Sequence, residues 1–215
     1  MTSPEDPYPL VEEVASAITH GLGAVLSVGA GAVLITLAAV FGDVWTVVGA
    51  SVFAGSLVLL YSASTLYHAV PHATAKARLQ TFDHCAIYVL IAGTYTPFLL
   101  HLRGTWGWTL FAVIWTLAAG GIVFKLFFTG RFNLASTLIY LAMGWLIVVA
   151  AGPLRAALPG STIAWIVAGG LAYTAGTVFY LNRRLRFAHA IWHLFVLAGS
   201  VCHFAAVLSE VLRAA

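Results

Sequence analysis

Four ionisable side chains lie in stretches of this sequence that are otherwise strongly apolar: His68, Asp83, His189 and His193. His189 and His193 are four residues apart, so on a helix they share one face and can reach the same ion. His68 closes a different apolar run, and Asp83 opens the next one. Imidazole is a good ligand for Zn²⁺, and three imidazoles leave a fourth tetrahedral position for water. The pattern predicts a zinc site built between helices.

Zinc bound in this way would support hydrolysis. The ion lowers the pKa of its bound water to about 7, which gives hydroxide at neutral pH. Asp83 can hydrogen-bond that water and act as general base, or it can orient a histidine. Ser64 lies one helical turn before His68, so its hydroxyl can polarise a substrate carbonyl or fix Asp83. A role for Ser64 as nucleophile is disfavoured, because no separate base for it is evident.

Each of these residues also has a purely structural interpretation. A histidine or serine in a membrane span often makes hydrogen bonds or packs between helices, and an aspartate near a helix start is favoured by the helix dipole. The pair His189 and His193 is the hardest to explain in this way. The other histidines are assigned supporting or packing roles (His20, His84, His203) or solvated positions (His72, His101).

Composition places the chain in a membrane. Charged residues make up 8% of it, against about 25% in soluble domains, and the mean hydropathy is +0.97. Seven stretches are long and apolar enough to span a bilayer as helices. We expect the spans near 17–40, 45–69, 82–101, 106–128, 133–152, 161–181 and 187–209. The predicted fold is an all-α, polytopic bundle of seven transmembrane helices, and a soluble protein is excluded.

The spans leave room only for short connections, so one seven-helix membrane domain is expected over residues 1–215. An acidic N-terminal segment, 1–16, precedes the first span and lacks the basic region and cleavage site of a signal peptide. We expect this segment to be retained, with a short interfacial helix after Pro9 that runs into the first span.

Basic residues predict the orientation. Seven of the ten fall on one side of the seven-span topology (Lys76, Arg78, Lys125, Arg131, Arg183, Arg184, Arg186) and three on the other (Arg103, Arg155, Arg213). The positive-inside rule then puts the N-terminus in the cytoplasm and the C-terminus outside. The predicted zinc site lies near the cytoplasmic face. This asymmetry also explains the net charge of +3, so no nucleic-acid partner is expected.

Four strings carry a resemblance to a known family: EEVASAITHGLGA (12–24), SASTLYH (62–68), FDHCAIYVLIAGTYTP (82–97) and HAIWHLFVLAGSVCHF (189–204). In this order the chain resembles the hemolysin III family, the bacterial branch of the progestin and adipoQ receptor superfamily. The resemblance implies a zinc ion held by His68, His189 and His193. It implies that Asp83 contacts the ion through water and that Ser64 lines the pocket.

The resemblance has two small departures and a functional implication. Ser16 stands where many bacterial relatives carry Asn, which leaves the contribution of the first span less certain, and Cys85 stands where a small residue without sulfur is common. The resemblance also implies a relation to alkaline ceramidases and other membrane hydrolases. We therefore expect a zinc-dependent hydrolase of lipid amide or ester bonds in the cell inner membrane. Its role would be in membrane lipid and energetic homeostasis, with a membrane lipid entering laterally as substrate or ligand.

Three alternatives remain open, and so does the oligomeric state. A zinc-stabilised membrane sensor or receptor-like protein would use the ion to clamp spans two and seven together without turnover. A cytolytic pore former would match the family's name, but no polar channel-lining stripe supports it. A haem protein would need partner histidines for His189 and His203, and the available set fits this poorly.

Overall fold

The computed structural model describes residues 9–182 and 184–213, so the first half of the acidic segment and Arg183 lie outside the described residues. The helices are α1 (Leu10–Phe41), α2 (Val44–Ala69), α3 (Ala73–Leu102), α4 (Gly104–Phe128), α5 (Asn133–Trp145), α6 (Ala151–Ala157), α7 (Gly160–Leu181) and α8 (Ala188–Arg213). A short 3-10 segment, Leu146–Ala150, joins α5 to α6, and these three form one span.

Seven helical units of the described chain are long and apolar enough to cross a membrane, which confirms the predicted all-α, seven-span fold. Two of them begin well before the predicted spans. The third, α3, starts at Ala73, where the span was expected near 82. The first starts at Leu10, directly after Pro9, where a short helix running into the span was expected. Glu12 and Glu13, expected in the N-terminal segment, therefore lie within α1, and both are buried.

The connections between neighbouring spans are short, which makes those spans antiparallel. Asp43 caps α2 by accepting hydrogen bonds from the backbone N–H and the hydroxyl of Thr46, both at 2.9 Å. It also pairs with Arg103, which separates α3 from α4 with a φ of 49°. Because the spans alternate in direction, the starts of α1, α3 and α8 and the end of α2 lie at one end of the bundle, and Asp43 and Arg103 lie at the other.

The fifth span is interrupted, where the sequence predicted one continuous helix. The hydroxyl of Tyr95, on α3, accepts a hydrogen bond from the backbone N–H of Ile147 at 2.8 Å. The same hydroxyl lies 2.8 Å from the carbonyl oxygens of Met143 and Gly144. A polar side chain from a neighbouring helix therefore satisfies the backbone where the α-helix changes to 3-10 geometry.

The core runs along α3, which packs against α2 and α4 and also meets α5, α6 and α8. Large side chains of this core include Phe53, Tyr88 and Phe98. Lys125 is counted in the sequence among the basic residues that favour one membrane surface, at the end of the predicted fourth span. It lies in the last turn of α4 with its side chain fully buried, so it adds no charge to the loop surface.

Candidate metal centre

The predicted ligand residues come together at the end of the bundle where α2 ends and α8 begins. His68 lies in the last turn of α2, and His189 and His193 lie in the first turns of α8. One nitrogen from each ring can be chosen so that all three nitrogens lie within 4.8 Å of one another. The ring centroids are 4.6 to 5.1 Å apart, and all three side chains are buried.

Glu13 orients the first of these histidines. Its Oε2 accepts a hydrogen bond from His68 Nδ1 at 2.7 Å and pairs with Lys76 Nζ at 3.1 Å. Lys76 also donates to the carbonyl oxygen of Tyr67 at 2.9 Å. With Nδ1 engaged, the buried Nε2 of His68 has no hydrogen-bond partner among the described residues. A basic nitrogen left in this state is suited to a metal.

Sequence reasoning missed Glu13, because an acidic residue near the start of a chain resembles part of a solvated segment. A signal was present in the sequence. Glu13, Ser16 and His20 follow one another at helical spacing, and the run around them is otherwise apolar. An acid on that face of a membrane helix must turn inward and find a partner.

His193 is oriented by the same helix. Its Nδ1 lies 3.2 Å from the carbonyl oxygen of Ser16 and 3.2 Å from the hydroxyl of Thr19. A carbonyl can only accept, so we assign the proton to Nδ1, which leaves Nε2 as the basic nitrogen. Ser16 takes part through its backbone. The presence of Ser in place of Asn therefore leaves this contact unchanged.

Of the three supporting histidines, His20 touches the centre. Its ring stacks on that of His193 at a centroid distance of 3.4 Å and an interplanar angle of 8°. His84 instead bonds to the Gln80 carbonyl oxygen at 2.6 Å and faces the hydroxyl of Tyr180. His203 lies further along α8, where its Nε2 bonds to the carbonyl oxygen of Ile166 at 3.1 Å. His72 and His101 are exposed, as the sequence predicted.

Asp83 and Ser64 line the same cavity as His189 and His193. Both are buried, and the Ser64 hydroxyl faces the Asp83 carboxyl without a hydrogen bond of normal geometry. The cavity has a volume of about 240 Å³ and continues between α3, α5, α7 and α8. Most of its wall away from the histidines is apolar, including Leu90, Phe98, Ile166 and Val196.

These residues fit a zinc ion by their chemistry. Open zinc sites combine imidazole ligands with a nearby carboxylate. Here there are three imidazoles, one of them with an unpartnered nitrogen on His68, and the Asp83 carboxylate lines the adjoining cavity. A geometry with three protein ligands leaves a position for a reacting molecule, and here the adjoining space is apolar.

Fold and site together define a polytopic helical membrane protein with a buried three-histidine group at one end. A family model described as "Haemolysin-III related" matches residues 8–204. The chain therefore belongs to the haemolysin-III-related family, which confirms the resemblance found in the sequence.

Similar proteins support this assignment over nearly the whole chain. "Hemolysin-3 homolog" of Bacillus subtilis (strain 168) is 51% identical over 94% of this chain and 95% of its own length. "Hemolysin-3" of Bacillus cereus is 53% identical over 95% of this chain and 94% of its own. The more distant "Monocyte to macrophage differentiation factor" of Homo sapiens is 29% identical over 94% of this chain and 85% of its own.

Proposed function

We propose that this protein is a zinc-dependent membrane hydrolase that cleaves amide or ester bonds of membrane lipids. One observation carries the proposal. Three buried histidines converge where a largely apolar cavity begins, and a carboxylate and a hydroxyl line the same cavity. A site for a water-soluble substrate would need a polar route to the surface, whereas this cavity lies among apolar helices.

His68, His189 and His193 would hold the ion. Zinc on three imidazoles supplies a Lewis acid that polarises a carbonyl group and acidifies water. Glu13 and the Ser16 carbonyl hold two of the rings, so less freedom is lost when the ligands converge.

The remaining steps belong to side chains of the cavity. Asp83 takes the proton of the attacking water and returns it to the leaving amine or alcohol. The Ser64 hydroxyl donates a hydrogen bond to the oxygen on which negative charge develops. The apolar wall holds the hydrocarbon chain of the lipid and limits the access of bulk water.

The proposal includes an orientation and a location. The histidine end of the bundle would face the cytoplasm, because basic residues of the connections at this end, among them Arg131, Arg184 and Arg186, favour anionic headgroups. The protein would be a multi-pass component of the cell inner membrane, and its turnover would contribute to lipid and energetic homeostasis.

Metal content tests the first part. Detergent-purified wild type, His193→Ala and His72→Ala would be compared by plasma mass spectrometry. We expect about one zinc per chain in the wild type and in the exposed control His72→Ala, and almost none in His193→Ala. Folded wild type without zinc, or equal zinc in all three proteins, would overturn the metal centre and the hydrolase proposal with it.

Turnover tests the second part. Purified protein in liposomes would be incubated with lipid amides and lipid esters, and the products would be identified by mass spectrometry. Asp83→Asn should keep its zinc and lose turnover by roughly 10²-fold or more, since it removes the proton acceptor. Zinc-loaded wild type that cleaves neither class would contradict hydrolysis.

The non-catalytic alternative has one observation in its favour. The histidines come from α2 and α8, so an ion between them would join helices that are distant in sequence. A structural ion would raise the melting temperature, and Asp83→Asn would change neither zinc content nor that temperature. Zinc-dependent stability without turnover would favour this function over hydrolysis.

A further inference from the structure

The first helix lies outside the three-histidine group, yet it contacts two of its members. Glu13, Ser16 and Thr19 follow one another at intervals of three residues along α1, so they lie on neighbouring turns of one side. Glu13 bonds to His68 of α2, and the Ser16 carbonyl and the Thr19 hydroxyl meet His193 of α8. Both contacts are made to Nδ1 of the ring.

We propose that α1 is the orienting helix of the centre and that Glu13 is its principal positioning residue. Glu13 would fix the proton of His68 on Nδ1 and turn Nε2 toward the other two histidines. The contacts to His193 would do the same for the second ring with less strength, because a carbonyl and a hydroxyl carry no full charge. This inference rests on the proposed function, since it assigns Glu13 a role toward the zinc ion.

The contact with Glu13 determines the direction of His68. A carboxylate only accepts hydrogen bonds, so a 2.7 Å contact with Nδ1 requires the proton on that nitrogen. The lone pair is then on Nε2, which is buried and has no partner in the described chain. A histidine that donates its other N–H to a carboxylate is a more basic metal ligand and is held in one orientation.

Lys76 completes the arrangement from a third helix. Its ammonium lies 3.1 Å from the same Oε2, donates to the Tyr67 carbonyl oxygen at 2.9 Å, and sits 4.7 Å from the centre of the Tyr67 ring. Tyr67 directly precedes His68. Lys76 therefore ties the carboxylate to the backbone beside the histidine it orients, and supplies the opposite charge that a buried carboxylate needs.

A purely structural link between α1 and α2 would show the same hydrogen bond. The test must therefore measure which nitrogen of the His68 ring carries the proton. Glu13→Gln keeps the size of the side chain, but its amide can donate to Nδ1. Its amide oxygen can still accept from Nδ1–H, but without the negative charge that favours this form, so we expect a share of His68 to carry its proton on Nε2, where it blocks the metal. Glu210→Gln is the matched control, because Glu210 is an equally buried carboxylate near a histidine at the opposite end of the bundle.

The first measurement needs no metal. In zinc-free protein labelled with ¹⁵N-histidine, long-range ¹H–¹⁵N spectra report which nitrogen carries the proton, and His68→Gln assigns the signal. We expect the Nδ1–H form of His68 in wild type and Glu210→Gln, and a large share of the Nε2–H form in Glu13→Gln. The second measurement is zinc affinity by competition with a chelator, where Glu13→Gln should bind about 10–100-fold more weakly.

Two further variants keep the inference testable. Glu13→Asp retains a carboxylate, so it should preserve the Nδ1–H form and recover part of the zinc affinity even if Glu13→Gln folds poorly. Thr19→Val removes one of the contacts to His193 and should weaken zinc binding by less than Glu13→Gln.

The outcomes separate the two proposals. An unchanged His68 tautomer in Glu13→Gln, with zinc affinity within about twofold of wild type, overturns the positioning role and leaves Glu13 as a structural link. A wild type that binds no zinc overturns the proposed function. The tautomer measurement then still decides whether Glu13 orients His68, because it is made without metal.

Discussion

The two ends of the bundle each hold a glutamate, a histidine and a basic residue in contact: Glu13, His68 and Lys76 at one end, and Glu210, His101 and Arg213 at the other. The two carboxylates are equally buried, with 9% of each side chain exposed. The histidines differ. His68 is 0% exposed and bonds to its carboxylate at 2.7 Å, whereas His101 is 43% exposed and lies 4.0 Å from Glu210.

This difference shows what turns ordinary residues into a candidate site. His68 is desolvated, has Nδ1 bonded to Glu13 and a buried Nε2 without a partner among the described residues, and lies beside two further histidines. The His101 ring is exposed to solvent, and Arg213 Nη2 lies 3.0 Å from its Nε2. Burial removes the solvent that would otherwise satisfy the second nitrogen, so convergence of side chains, and not residue type, defines the centre.

Zinc binding should separate the two ends most sharply. His68→Ala removes a proposed ligand and should lower zinc from about one ion per chain to almost none, whereas His101→Ala should leave it unchanged. Metal analysis of monodisperse protein checks this. Loss of zinc in His101→Ala, or its retention in His68→Ala, would place the metal elsewhere.

The next largest difference is expected in the stability that is lost when Lys76 or Arg213 is replaced. Lys76, 19% exposed, serves a buried carboxylate and a backbone carbonyl, so Lys76→Met should cost about 2 kcal/mol. Arg213 is 44% exposed, and Arg213→Met should cost less than about 1 kcal/mol. Thermal unfolding of zinc-free protein in detergent gives the comparison. Equal losses would show that the ion pairs at both ends are screened to the same degree.

The smallest effect on stability is expected at the pair of Asp43 and Arg103, which is exposed at the end of the bundle that holds Glu210. Hydrogen bonds from the Thr46 backbone and hydroxyl, followed by the nearby Arg103, lower the pKa of Asp43 from 3.8 to about 2. Since the folded pKa is depressed, this stabilisation is present above pH 3.8 and is lost as the pH falls toward 2. Both side chains are largely exposed, so solvent screening keeps the contribution small.

Asp43→Asn keeps the helix cap and removes the charge. It should lower stability by less than about 1 kcal/mol near neutral pH, less still in high salt, and by nothing measurable near pH 2. Unfolding at several pH values, with Thr36→Val as a control at an exposed hydroxyl, tests this. A loss of stability that grows as the pH falls would contradict the expected pH dependence.

Much of the fold could be predicted because its signals are local. Apolar runs of membrane-spanning length gave seven spans, and the spacing of His189 and His193 gave one side of the centre. Adding the basic residues and the alternating direction of the spans placed His68 and Asp83 at the same end. Lys125 shows the limit of this reasoning, since its position near a loop did not reveal that its side chain is buried.

The sequence by itself determined the class of protein, the seven spans and the three histidines that meet, because length, hydropathy and helical spacing act within one segment. The tertiary structure alone decided that Glu13 holds His68, 55 residues away, that Tyr95 of α3 satisfies the broken fifth span, and that an apolar cavity adjoins the histidines. Each of these depends on which faces of distant helices touch. In a bilayer, side-chain packing and hydrogen bonding set those contacts, and hydropathy does not encode them.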